Sequence, residues 1–251
     1  MILNDLKNLH KGKPAFIVGA GPSLHFTDTN ILKQGITLSV NSSIQKIETD
    51  YFIGDDIGLK NWSYYTKRLP NLNTISLLYK GKLQDHASHL NPDKVIFFNH
   101  KTWYEPSKKK YHEDGLVLTE DPNEPIIGAR TAAGTAVHFA FIMGCSPIVL
   151  VGCDCCYHKV DRKFYRYYWQ YEGEEKPYRI THEPVFSTPN RGMYRGKWID
   201  SHCMSFIEYW TALAKQCDKQ NVKIIDCSDG LLDCFEKKKL ENLLNFEDTN
   251  D

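Results

Sequence analysis

The sequence has no excess charge of either sign: 31 Lys and Arg face 31 Asp and Glu over 251 residues, with a pI near 7.1. A non-specific nucleic-acid binder carries a basic footprint, so no nucleic-acid partner is expected. No run of about 18 apolar residues occurs, which excludes a predicted transmembrane helix. The opening MILNDLKNLHKGK lacks an apolar core of signal-peptide length and is charged throughout, so a cytoplasmic protein is expected. There is no internal repeat, and the C-x-x-C spacing of Cys153 and Cys156 is not read as a zinc pair. The eight cysteines include the run GCDCC (152–156). Neighbours on a strand point to different faces, so free thiols in a reducing compartment are expected there rather than a zinc site. Also missing are the Gly-Lys-Ser/Thr of a Walker A loop and the third glycine of the dinucleotide fingerprint, where Leu24 stands.

What is present is a recurrence of short apolar runs: AFIVG (15–19), ITLSV (36–40), DYFI (50–53), TISLL (74–78), KVIFF (94–98), PIVLVG (147–152) and VKIIDC (222–227). Their length and Val/Ile content suit strands buried on both faces of a parallel sheet. Helical stretches lie among them. TAAGTAVHFAFIMG (131–144) is small and apolar all round and ends in Gly144, a fitting C-cap. SFIEYWTALAKQCDKQ (205–220) is amphipathic, and FEKKKLENLLNF (235–246) also reads as helix. The expected fold is α/β: one Rossmann-like domain over 1–251, with an open, mostly parallel sheet, helices on both faces and ligands at the carboxyl ends of the strands. Residues 99–130 read as polar loop. Residues 157–200 hold seven of the 14 tyrosines among Arg and Lys. Such a segment is too aromatic for disorder and predicts a lid or acceptor segment, a satellite core, or a contact in a homo-oligomer.

Polar residues collect at the strand ends. GAGPSL places Gly19, Ala20 and Gly21 where the chain must turn sharply, Pro22 where a helix starts, and Ser23 as a hydroxyl donor. Amides at such a turn favour an anion, usually phosphate; turn glycines needed for backbone geometry are the ordinary alternative. VNSS puts Asn41 and Ser42 after the second strand, able to read a base or ribose. GDD puts Asp55 and Asp56 after the third, where paired carboxylates suit Mg²⁺ or ribose hydroxyls, or simply cap a turn. Arg130 and Thr131 open the helix TAAGT as a second anion site. Gly152 and Asp154 follow PIVLVG.

GAGPSL, VNSS and TAAGTAVHFAFIMGCSPIVLVGCD together resemble the 6-hydroxymethylpterin pyrophosphokinase-like family, and look like the related bacterial sialyltransferases and motility-associated flagellin glycosyltransferases. The resemblance covers roughly residues 13–58 and 129–157, with a weaker echo at VKIIDCSDGLLDCF. It implies that Gly19, Gly21, Pro22 and Ser23 approach a nucleotide phosphate, with Asn41, Thr131, Gly152 and Asp154 lining the same site. Ala132 and Ala133 replace the Ser and Gly of the family's Thr-Ser-Gly. The sialyltransferase pattern implies a tyrosine that assists phosphate departure, matched by Tyr157 one place beyond the aligned Cys156. It also implies a base histidine before the last large helix, matched by His202, with His158 and His182 sharing that reading.

Three functions follow. The favoured one is transfer of a nonulosonic acid or related sugar from a nucleotide donor such as a CMP-sugar to a glycan or protein acceptor, with His202, Tyr157 and Asp154 in the chemistry. No resident cofactor is assigned and no metal is favoured. The runner-up is Mg-ATP-dependent pyrophosphoryl transfer to a pterin-like alcohol, with Asp55, Asp56 and Asp154 as the residues that could bind the metal. The third is a nucleotide-binding module without turnover.

Overall fold

All seven apolar runs become strands of one parallel sheet in the computed structural model, which describes residues 2–102, 104–105, 110–111, 117–128, 131–172 and 191–243. They are β1 (Ala15–Val18), β2 (Ile36–Val40), β3 (Tyr51–Gly54), β4 (Ile75–Tyr79), β5 (Val95–Phe98), β6 (Ile148–Val151) and β7 (Ile224–Asp226). An eighth, β8 (Glu236–Lys237), pairs in parallel with β7. The spatial order is β8-β7-β6-β1-β2-β3-β4-β5. The chain therefore walks outward from β1 to β5, then returns to lay β6 against the other side of β1. That reversal is a topological switch point, and the crevice of such a sheet opens there, beyond the carboxyl ends of β1 and β6.

The period of two along each strand sorts the core into two layers. Ala15, Ile17, Ile148, Leu150 and Ile224 face one side, where they meet Val137, Phe139, Tyr209 and Leu213. These last four belong to α1 (Ala132–Ile142) and α2 (Ser201–Lys219). A helix that is apolar all round has to be buried, and α1 is, with Phe141 its one partly exposed residue. Gly144 follows it at φ +73°, the left-handed stop expected of that glycine. Asp200 caps α2, accepting from the Cys203 amide at 2.8 Å, so the helix begins four residues before the amphipathic pattern does.

Phe16, Val18, Val149, Val151 and Ile225 face the opposite side and pack on Leu24, Leu32, Tyr168, Trp169 and Leu240. The cover on this side of β1, β6 and β7 is short 3-10 turns, Pro22–Phe26 and Ile31–Gln34, together with the aromatic segment. Tyr168 and Trp169 are thus core residues, 1% and 3% exposed. The rest of that segment forms two small antiparallel ribbons, His158–Val160 with Lys163–Tyr165 and Gly192–Tyr194 with Lys197–Ile199, joined where the Tyr157 amide donates to the Trp198 carbonyl. Residues 173–190, with His182, lie outside the described residues.

The helix expected over 235–246 is corrected. Residues 236–237 are strand and Leu240–Leu243 a single 3-10 turn. The Asp226 carboxylate is fully buried at the end of β7, and the Lys237 ammonium reaches it at 2.5 Å. A buried charge without a partner is costly, and pairing 236–237 with β7 brings the lysine into register beside it. No helix among the described residues is long and apolar enough to cross a membrane.

Candidate functional site

The two turns at the switch point are packed against each other. The Gly19 amide donates to Val151 O at 2.7 Å and the Gly21 amide to Gly152 O at 2.8 Å. Gly152 has φ +66°, and a Cβ there would stand 2.8 Å from Gly19 O. The first contact of the glycine turn is therefore the backbone of its neighbour. It also meets a side chain: the Asp154 carboxylate, 2% exposed, accepts the Ser23 hydroxyl at 2.9 Å and the Ser23 amide at 3.3 Å through Oδ2. A Cβ on Gly21 would run into that carboxylate and lie 2.6 Å from Gly152 O. Asp154 thus occupies the space beside Gly21, held by the Ser23 amide and hydroxyl. Of the resemblance-derived residues, Gly19, Gly21, Ser23, Gly152 and Asp154 are brought together in this way, with Ala20 accepting the Tyr168 amide and Pro22 opening the 3-10 turn.

The other oxygen of Asp154 faces His158. Asp154 Oδ1 is buried with no hydrogen bond and lies 3.5 Å from His158 Nε2. Asp229 Oδ2 is 3.7 Å from the same nitrogen, and Nδ1 lies 3.1 Å from the Tyr171 hydroxyl. Burial by itself would lower the imidazole's pKa; the two carboxylates outweigh it and raise it above the ordinary value. Asp229 is held below the usual carboxylate range, chiefly by the Lys197 ammonium at 2.6 Å. The order is Ser–Asp–His, with the serine hydroxyl bonded to the acid and not to the imidazole, so this is no nucleophilic serine triad.

Beside His158 a cleft of about 1300 Å³ opens at the carboxyl edge. Ser23 and Phe26 line it after β1, Tyr157 and His158 after β6, and Ser228 and Asp229 after β7. Four lysines also line it: Lys159, Lys197, Lys238 and Lys239. Lys197 is paired with Asp229 and Lys238 with Glu236 at 2.9 Å, and Glu241 also lines the cleft, so the lining is mixed in charge with an excess of lysine, which suits an anionic ligand. The lysines and Asp229 escape sequence reasoning, although SDG after VKIIDC is one more acid at a strand end.

Other predicted residues have different places. Tyr157 donates its hydroxyl to Asp200 at 2.7 Å, with Arg166 3.6 Å from the same carboxylate oxygen; burial pushes the phenol up to about 12. It ties the ribbons to the start of α2. His202 is exposed on the first turn of α2 and is not among the cleft-lining residues. Asn41 is exposed at φ +55°, and the Ser42 carbonyl accepts the Tyr168 hydroxyl at 2.9 Å. Thr131 caps α1 through the Ala133 amide, and Arg130 lies outside the described residues.

The acids of the metal reading do not converge. Asp55 accepts the Thr135 hydroxyl at 3.1 Å and is raised to about 6 by burial, while Asp56 caps its own turn through the Gly58 amide. Three strand spacings of roughly 4.8 Å separate β3 from β6, so Asp55 and Asp154 stand about 14 Å apart along the edge and cannot share one ion. Among the described residues no group of three or more His, Cys, Asp or Glu is arranged to hold a metal.

Comparison with known proteins gives one family, described as 6-hydroxymethylpterin diphosphokinase MptE-like, which matches residues 1–160 of the 251. No curated protein and no solved structure matches the chain.

Proposed function

The chain belongs to the MptE-like family, and on that footing we propose that it transfers a group from a nucleotide donor to a hydroxyl acceptor, with His158 handling the proton. The carrying observation is His158 facing Asp154 and Asp229 at the mouth of a lysine-lined cleft. Its Nε2 faces acceptors, Asp154 Oδ1, Asp229 Oδ2 and the Asp229 carbonyl, at 3.4 to 3.7 Å, which leaves Nδ1, 3.1 Å from the Tyr171 hydroxyl, as the basic nitrogen. Neutral His158 keeps its own proton on Nε2, toward Asp154 and Asp229, and takes the acceptor proton at Nδ1 in place of the Tyr171 contact, while the acceptor oxygen bonds to the transferred group. The bond from that group to the donor phosphate breaks, leaving its electron pair on a phosphate oxygen that Lys197, Lys238 and Lys239 are placed to neutralise. Asp154 and Asp229 stabilise the imidazolium that forms.

Sugar is the group we favour, from a donor such as a CMP-sugar to a glycan or protein. The family match ends at residue 160, and Lys197, Asp229 and Lys238–Asn242 of the cleft lie beyond it, so the match by itself does not choose between the two substrates. Lysines and an imidazole also serve a departing phosphate without a metal. Pyrophosphoryl transfer from Mg-ATP to a pterin-like alcohol is the second reading, supported by the family description.

A thermal-shift panel of CMP, CDP, UDP, GDP and ATP, with and without Mg²⁺, separates the two: metal-independent CMP binding is expected, and binding by Mg-ATP alone turns the reading to the second. His158→Gln should lower turnover by roughly 10²–10⁴-fold with nucleotide affinity intact. Activity should rise with pH through a midpoint above the ordinary imidazole value, and Asp154→Asn should move that midpoint down. Full turnover in His158→Gln would remove the histidine from the chemistry.

A further inference from the structure

Phe26 is 67% exposed, yet it lines the cleft in company with Ser23. Both sit on the 3-10 turn Pro22–Phe26, where side chains three apart eclipse, so Phe26 projects on the same side as Ser23 and about 6 Å further along the axis. Its orientation is held from the side. His25 meets the ring at 89° with centroids 4.8 Å apart, and Tyr171 meets it at 71° and 5.1 Å. Such edge-to-face contacts fix a ring, and at 67% exposure most of Phe26 remains open to solvent.

The other rings lining the cleft are differently engaged. Tyr171 stacks on Tyr165 at 4.0 Å and 11°, and on His25 at 4.9 Å and 18°. The Lys159 ammonium lies 4.9 Å above Trp198, and the Arg191 guanidinium 4.8 Å above Tyr157. Of the rings that line the cleft, Phe26 is the exposed one. Leu240 belongs to the same core layer as Leu24, and Lys239, Glu241 and Asn242 line the cleft together with Phe26. A fixed, exposed aromatic ring with polar groups alongside suits a flat heteroaromatic ring whose edge carries donors and acceptors.

We propose that Phe26 is a stacking platform for the planar heteroaromatic ring of the ligand, seated one 3-10 turn from the Ser23–Asp154 contact. This rests on the transferase reading above. The ring comes from the donor's nucleobase or from a pterin-like acceptor, and the experiment tells them apart.

Calorimetric titration of the full chain would use CMP, ATP with Mg²⁺, 6-hydroxymethylpterin and inorganic pyrophosphate, against wild type, Phe26→Ala, Phe26→Leu and Phe26→Trp. Leu keeps apolar bulk without a π face, and an unchanged melting temperature shows that each variant is folded. For the ring-bearing probe that binds wild type, Ala and Leu should raise Kd by roughly 5- to 100-fold, Trp should hold or tighten it, and pyrophosphate affinity should not move. Weakening of the nucleotides assigns the ring to the donor; weakening of the pterin alone assigns it to the acceptor. Nucleotide and pterin affinities unchanged by Ala, with pyrophosphate still bound, overturn the platform and leave the transferase reading standing. Equal weakening of pyrophosphate also overturns it, since Phe26 would then be acting through the shape of the turn. If no probe binds wild type, the transferase reading falls and the platform with it.

Discussion

His138 shows what a single side chain does inside this fold. It is fully buried in α1, and Nδ1 accepts the Ile127 amide at 3.0 Å, so Nε2 carries the proton and donates to Thr119 O at 3.0 Å. Burial lowers its pKa to about 4. An unfolded chain takes up that proton near pH 6.5 and the native chain only near 4, so this group's stabilisation is complete at neutral pH and declines as pH falls through that window. Between pH 7 and pH 5 the loss is about 2 kcal/mol. Asp55, raised to about 6, acts in the opposite sense, because the native chain protonates first. The check is urea denaturation of wild type and His138→Gln at both pH values: the wild type's advantage should shrink by about 2 kcal/mol at pH 5, and a constant difference would refute the assignment. Histidines also mark a limit of sequence reading. His202 and His158 look alike in sequence, and His158 comes to face two carboxylates at the cleft because β6 and β7 are adjacent and deliver Asp154 and Asp229 to the same spot.

At the scale of elements, α2 is anchored by more than its own cap. Asp200 accepts from the Cys203 amide and from the Tyr157 hydroxyl, and Arg166 lies beside it, so one carboxylate joins a helix start to a ribbon. Asp200→Ala should cost about 2–4 kcal/mol, made up of the lost cap and a buried phenol left without its charged acceptor. Tyr157→Phe should cost less, and the double variant should show coupling of about 0.5–3 kcal/mol in urea unfolding. Strict additivity would mean that the two side chains do not interact. The strands and α1 were legible because apolar runs and small apolar residues have one physical use in a doubly covered sheet. The start of α2 was not, since its first turn, Ser201–Met204, lacks the amphipathic pattern and is defined by the Asp200 cap. The C-terminal segment misled because its helical pattern is local, whereas the Lys237–Asp226 pair that makes 236–237 a strand is not.

At the scale of the whole molecule, the switch point between β1 and β6 organises everything else. Two turns from distant parts of the chain touch backbone to backbone, and Gly21 leaves room for Asp154. Gly21→Ala should therefore destabilise the fold itself by about 1–3 kcal/mol, a fall in melting temperature of roughly 2–4 °C per kcal/mol, and Asp154→Ala in the same chain should recover part of the loss. An unchanged melting temperature for Gly21→Ala would show that the contact gives way freely. The sequence by itself determined the seven strands, the buried helix α1 and the crowding of polar residues at strand ends, because hydrophobic periodicity and turn chemistry act over a few neighbouring residues. Tertiary structure alone decided which of those residues meet. It set Asp154 beside the glycine turn, put His158 in the lining of the cleft, sank Tyr168 and Trp169 into the core and left Phe26 exposed, because each of these depends on which strands lie side by side, and strand order is set by packing across the whole chain.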